Sequence, residues 1–205
     1  MTMNPTISLI EQRVSANRFD ASHTLADAEI EELARLATRA PTAYNLQNWR
    51  FIAVRTPEGK ARLRGLAQGQ AKVSDAAVTF IICGVLPEPA AIADRLAGFV
   101  ASGFMPADMA SRWQEGARAQ YADPQTARDE ALRSATFGAS TLIYAAGALG
   151  LASGPMVGFD AEGVAREFGL GPAEVPAMLV AVGRAAAGNW PQKPRRQLAE
   201  VLEIA

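Results

Sequence analysis

The run Ala77 to Gly84 (AVTFIICG) constrains the fold more than any other stretch. A continuous apolar run of this length marks a strand buried on both faces. Val175 to Gly183 (VPAMLVAVG) is a second such strand, and Trp49 to Arg55 (WRFIAVR), rich in aromatic and branched residues, is a third. Helical spacing predicts a short helix over 6–16, with Arg13 near its end. A second helix is N-capped by Asp27, carries Ile30, Leu33, Leu36 and Ala37, and stops before Pro41. Pro57 opens a third. A long helix over about 125–150 is apolar all round in its second half and is therefore buried. Gly150 to Phe159 reads as a turn-rich loop, and Glu162 to Phe168 as a short helix. Residues 86–124 differ from the rest: Pro87, Pro89, Pro106 and Pro124 punctuate short helical pieces, an excursion from the core. No repeat or low-complexity linker divides the chain, so 1–205 is read as one α+β domain.

Composition limits the chemistry. Lys plus Arg number 20 and Asp plus Glu 21. That balance excludes nucleic-acid binding by bulk charge. One cysteine, Cys83, excludes an intrachain disulfide and a thiolate metal cage. One histidine, His23, excludes a multi-His metal site, so no metal is expected. Cys83 is expected in the core and His23 at the surface. The apolar stretch Ala135 to Leu151 is too interrupted for a membrane span, and the N-terminus shows no secretory pattern, so a cytoplasmic location is expected. Phosphate-loop, dinucleotide and nucleophile-elbow motifs are all missing. The chemistry is therefore expected to come from a cofactor.

Four segments carry groups suited to one. Arg13-Val14-Ser15-Ala16-Asn17 offers charge and a hydroxyl to a phosphate; its plainer reading is a solvated helix end. Ala40 to Trp49 places Asn45 and Gln47 in a polar loop, suited to the edge of a heterocycle or simply to a helix-to-strand turn. Ser153 to Asp160 holds Gly158, where backbone can approach a flat ligand, or is an ordinary post-helix turn. Lys193-Pro194-Arg195-Arg196 can complete an anion site or be a solvated face.

In this order and spacing the four segments resemble the flavin-dependent nitroreductase family, over nearly the whole chain. Arg13-x-Ser15 with Phe19-Asp20 resembles its opening motif, and Ala40-Pro41-Thr42-x-x-Asn45-x-Gln47-x-Trp49 its second. Gly150-Leu151 through Gly154-Pro155-Met156-x-Gly158-Phe159-Asp160 resembles its loop, closest to branches that include malonic semialdehyde reductase-like proteins. Lys193-x-Arg195 resembles its C-terminal basic pair. The resemblance implies a three-layer α+β fold, with a mixed, mainly antiparallel sheet between helices, and an intertwined homodimer with FMN at the interface. Arg13, Val14, Ser15, Lys193 and Arg195 would hold the phosphate and ribityl region, and Asn17 would lie near the pyrimidine edge. Pro41, Thr42, Ala43 and Asn45 would reach the flavin from the partner chain, Gln70 would touch it, and Pro155, Met156, Val157 and Gly158 would pass beside N5. The excursion 86–124 would cap the active site, and 185–205 would embrace the other subunit. No side chain would act as acid, base or nucleophile. The implied activity is ping-pong hydride transfer from NAD(P)H through flavin N5 to a small-molecule acceptor: a nitroaromatic, a quinone or a small carbonyl or enone.

The chain departs from the family pattern in places. Asn17 stands where many relatives carry a cation, Thr42-Ala43 replaces Ser-Ser, Asn48 replaces the proline before Trp49, and Val157 replaces an acidic residue of some branches. Two other readings stand beside this one: a flavin-binding or flavin-supplying protein with little turnover, and, from the departures at Asn17 and Asn48, a fold relative that has lost FMN.

Overall fold

The computed structural model describes residues 4–205. A helix α1 (Pro5–Gln12) is followed by an extended arm and by α2 (Asp27–Ala37). After a short 3-10 turn at Ala43–Asn45 come β1 (Trp49–Val54), α3 (Pro57–Leu66), α4 (Ala71–Asp75) and β2 (Val78–Val85). The excursion forms α5 (Ile92–Ala101) and α6 (Ala107–Gln120). The chain then runs through α7 (Pro124–Ala148), β3 (Ala152–Met156), α8 (Ala161–Glu167) and β4 (Glu174–Gly183).

The four strands form one sheet in the order β1-β2-β4-β3, with every neighbouring pair antiparallel. Its parallel component is a single bridge between Ser15 and Ser153. The alternation of β2 and β4 explains the layers. Val78, Phe80, Ile82, Val180 and Val182 face a core closed by α2 and α7. Ile81, Cys83, Leu179 and Ala181 face the opposite core, closed by α3, α4 and α8. Side chains of a strand alternate between faces, so a strand apolar on both needs helices on both. The close approach of α7 depends on Gly84, where a Cβ would lie 2.2 Å from the Ala131 carbonyl.

The excursion has a smaller core of its own, in which Ile92, Leu96, Met105, Ala110, Ala117 and Tyr121 surround Leu46.

Four local expectations are corrected. Residues 152–156 form β3 instead of a loop: Pro155, which cannot donate to a ladder, sits on the sheet edge, where it is tolerated. The first helix ends at Gln12, because the backbone of 15–16 pairs with β3 instead. The α2 N-cap is Ala26, whose N–H donates to Glu29 at 2.8 Å, and Asp27 lies in the first turn. His23 is half-buried, with its Nδ1 enclosed and unpaired. Cys83 is buried as expected; burial and then Glu174 push its thiol up to about 12.

Candidate functional site

The site grows from the outer edge of β3. Beyond Gln12 the chain turns extended at Arg13. The Ala16 N–H donates to the Ser153 carbonyl at 2.8 Å. A Cβ on Gly154 would lie 2.4 Å from the Ala16 carbonyl, so glycine lets the arm lie flat against the strand. Farther along, Asp20 N–H donates to the Arg184 carbonyl at 2.9 Å, and Ala186 N–H to the Arg18 carbonyl at 3.1 Å. This pairing leads the C-terminal segment back along the arm. Its Gln192 Nε2 donates to the Arg13 carbonyl at 3.0 Å.

The two segments enclose a cavity of about 110 Å³ lined by Arg13, Val14, Ser15, Asn17, Trp190, Pro191, Gln192, Lys193 and Arg195. Arg13 donates to the Ser15 hydroxyl at 3.3 Å, and Arg195 donates to Gln192 Oε1 at 2.9 Å and to the Lys193 carbonyl at 3.1 Å. Lys193 Nζ stands 5.7 Å from the centre of the Trp190 ring, within cation–π reach.

Lys72, on α4, was not picked out in the sequence. Its Nζ lies 3.5 Å from Asn17 Oδ1. Burial, and then the charge of Lys193, lowers its pKa below the ordinary lysine value. It thus supplies a cation next to Asn17, whose own side chain carries none. A signal was available: Lys60, Lys72 and Lys193 are the only lysines in the chain. Among the described residues, Arg13, Lys72, Lys193 and Arg195 form no ion pair with a carboxylate. Four cations and a hydroxyl without a counter-charge suit a phosphate dianion. A larger cleft, of about 590 Å³, lies between α3 and α4. Both of its cations serve backbone carbonyls, Lys60 that of Ala76 at 2.8 Å and Arg64 that of Gly69 at 2.9 Å, whereas of the four cations at the cradle only Arg195 does so, and the smaller cradle is the better anion site.

Next to the cradle lies the end of β3. The Ser153 carbonyl faces the arm, and by strand alternation Pro155 faces the same outer edge. The N–H groups of Val157 and Gly158 have no hydrogen-bond partner among the described residues, and Val157 is 73% exposed. Gln70 Nε2 donates to the Gly158 carbonyl at 3.0 Å, so the structure brings Gln70 to the 155–158 segment.

The Pro41–Gln47 loop belongs elsewhere in the chain. Tyr44, Asn45 and Gln47 are left-handed, at φ 51, 53 and 46°. Thr42 Oγ1 accepts from the Gln47 N–H at 3.0 Å. Tyr44 donates to Gln120 Oε1 at 2.9 Å and stands edge-on to Trp113 and Tyr121. Arg95 donates to the Leu46 carbonyl at 2.7 Å. The Thr42 bond closes the loop on itself, and the contacts of Tyr44 and Leu46 hold it to the excursion; no described hydrogen bond joins it to the cradle. Asn48 is structural: it is buried, and its Nδ2 donates to the Val85 carbonyl at 2.8 Å.

Among the described residues there is no cluster of His, Cys, Asp or Glu that could hold a metal, and no helix long and apolar enough to cross a membrane.

Comparison with known proteins identifies the family and the fold. The Nitroreductase family model matches residues 10–184, leaving the C-terminal arm outside the match. A Thermus thermophilus NADH dehydrogenase is 36% identical over 164 residues, covering 79% of this chain and 78% of its own. An oxygen-insensitive NAD(P)H nitroreductase from Enterobacter cloacae is 30% identical over 175 residues, covering 80% and 81%. Among solved structures, Bacillus subtilis ydfN superposes with a TM-score of 0.92 at 26% identity, covering 100% of both chains. A protein of Exiguobacterium sibiricum solved in complex with FMN gives 0.90 at 23% identity, covering 100% of this chain and 99% of that one. With the motifs in register and the family model spanning most of the sequence, this chain belongs to the nitroreductase family.

Proposed function

We propose that this chain binds FMN and acts as an NAD(P)H oxidoreductase of the nitroreductase type, with a nitroaromatic, quinone or small carbonyl or enone as acceptor. The observation that carries the reading is the convergence of Arg13, Lys193 and Arg195 on the cavity of Ser15, with Lys72 beside Asn17 on its lining, none with a carboxylate partner among the described residues. The donor set fits the cofactor: the cations and hydroxyl suit its phosphate. The unpaired N–H groups of Val157 and Gly158, beside an edge strand, suit a flat polar ring. Bound there, FMN would supply two-electron transfer between a nicotinamide and the acceptor. The protein's own work is binding and orientation. The cradle fixes the phosphate, the backbone of 155–158 offers donors to the ring, and Gln70 steadies that backbone through Gly158.

The second half of the site belongs to a second copy of the chain in this reading. Apolar side chains stand exposed on α1 (Ile7, Ile10), on α7 (Phe137) and along the arm (Leu198, Val201, Leu202, Ile204). Exposed apolar side chains of this kind are what a second chain can cover. A homodimer covers them and brings the Pro41, Thr42, Ala43 and Asn45 loop of one chain to the cradle of the other. The excursion then caps the pocket, with the stacked pair Phe99 and Phe104, 5.3 Å apart, at its tip.

The test is an absorbance spectrum of protein purified from a flavin-replete host, followed by anaerobic addition of NADPH and NADH. Flavin bands that bleach with a nicotinamide are expected. Colourless protein that does not take up added FMN would overturn the reading. Flavin bands that neither nicotinamide bleaches would point to a carrier.

A further inference from the structure

The cradle is made of two segments far apart in sequence, and one side chain joins them. Asn189 Oδ1 accepts from the N–H groups of Asn17 at 2.8 Å and Arg18 at 3.0 Å. Its Nδ2 donates to the carbonyls of Arg18 at 2.8 Å and Ala186 at 3.0 Å. The amide thus uses two acceptor sites and both donors, a combination that carboxylates and hydroxyls lack. The chain reverses just before it: Gly188 has φ +84°, and a Cβ there would meet the Arg18 guanidinium at 3.1 Å. From this fastening the segment runs on to Lys193 and Arg195, and is held again where Gln192 donates to the Arg13 carbonyl. Asn189 does not itself line the cavity.

We infer that Asn189 is a positioning residue. It sets the spacing between Arg13 and Ser15 on one wall of the anion cradle and Lys193 and Arg195 on the other. The inference rests on the FMN reading. It predicts that Asn189 governs recognition of the phosphate more than recognition of the ring: Arg13, Ser15, Lys193 and Arg195 are all assigned to the phosphate and ribityl region, whereas of the ring's expected contacts only Asn17 is fastened by Asn189.

The experiment compares FMN with riboflavin, which lacks the phosphate, by titration calorimetry on the full-length wild type and on N189A. Circular dichroism and thermal melts establish that each protein is folded. The wild type should prefer FMN. N189A should lose about tenfold or more of its FMN affinity while riboflavin affinity falls by clearly less, so the FMN preference shrinks. Equal loss for both flavins would show a general structural role and overturn the inference, as would no loss for either. If N189A does not fold, the same ratio is read on N189S, whose hydroxyl cannot make all four bonds, with the same outcomes. Wild type that binds neither flavin would overturn the FMN reading itself, a result distinct from any change confined to the variants.

Discussion

The Arg13–Asn17 arm and the Pro41–Gln47 loop resemble two motifs of one site, yet the fold treats them differently. The arm is extended and held by distant partners: Ser153 on the sheet edge and Asn189 and Gln192 in the C-terminal segment. Its cations meet within one chain. The loop is held by local hydrogen bonds and by the excursion, with three left-handed residues among its seven. Left-handed backbone costs non-glycine residues roughly 1–2 kcal/mol each, and it persists where surroundings enforce it. The cradle is thus assembled by long-range contacts within one chain, whereas the loop, which no described hydrogen bond joins to it, serves the cradle of a second chain in the function proposed above.

The strongest way to break this comparison is to lift the arm from the sheet. Gly154→Val places a side chain against the Ala16 carbonyl, where even a Cβ stands at 2.4 Å. Overpacking of this kind costs about 1–3 kcal/mol, so the melting temperature should fall and the purified protein should be colourless. Yellow protein from that variant would show that the arm needs no contact with β3. Next in size is Arg13→Ala. Loss of a charge-assisted phosphate contact should weaken FMN by roughly ten- to a hundredfold in a calorimetric titration, with little change in melting temperature. Tyr44→Phe probes the loop instead. It removes the hydrogen bond to Gln120 and should cost about 0.5–1.5 kcal/mol in a denaturant titration. The preference for FMN over riboflavin should not change, because the loop does not touch the phosphate.

Lys72 gives the comparison a pH dependence. Burial and Lys193 lower its pKa in the folded protein below 10.5. The depressed value disfavours the charged form on folding, a penalty present at neutral pH and relieved as pH rises through the folded pKa. A bound dianion favours the ammonium and raises that pKa again, so FMN binding takes up protons. FMN affinity should therefore fall as pH rises through the folded pKa of Lys72 toward 10.5, and Lys72→Met should flatten that fall. The smallest effect concerns Cys83, which belongs to neither region. With its thiol pushed up to about 12 and buried, it should not react with a thiol reagent at neutral pH until the protein unfolds.

The buried strands were legible because Val78 to Cys83 and Leu179 to Val182 are apolar on both faces. α7 was legible from its apolar second half. β3 was not: Ala-Ser-Gly-Pro-Met has neither branched nor aromatic residues, and it becomes a strand only because β4 offers an edge. The cradle residues Arg13, Ser15, Lys193 and Arg195 were found by motif. Lys72 and Asn189 were missed because their roles depend on contacts across 55 and 172 positions, which no local pattern encodes. Arg13 was misplaced on a helix, since its extended backbone comes from the Ser153 pairing.

In the proposed dimer a complete site takes its cradle from one chain and its Pro41–Gln47 loop from the other. Mixed dimers test it most directly. Arg13→Ala chains and Asn45→Trp chains, separately tagged and co-expressed, each lack one half of the site, so either homodimer should bind FMN poorly. A mixed dimer has one site with both defects and one with neither. The account predicts that it binds one FMN per dimer with wild-type affinity and shows nicotinamide-dependent bleaching at that site. If cradle and loop of the same chain form the site, both sites of the mixed dimer are damaged, and the absence of any wild-type-affinity site would contradict the account.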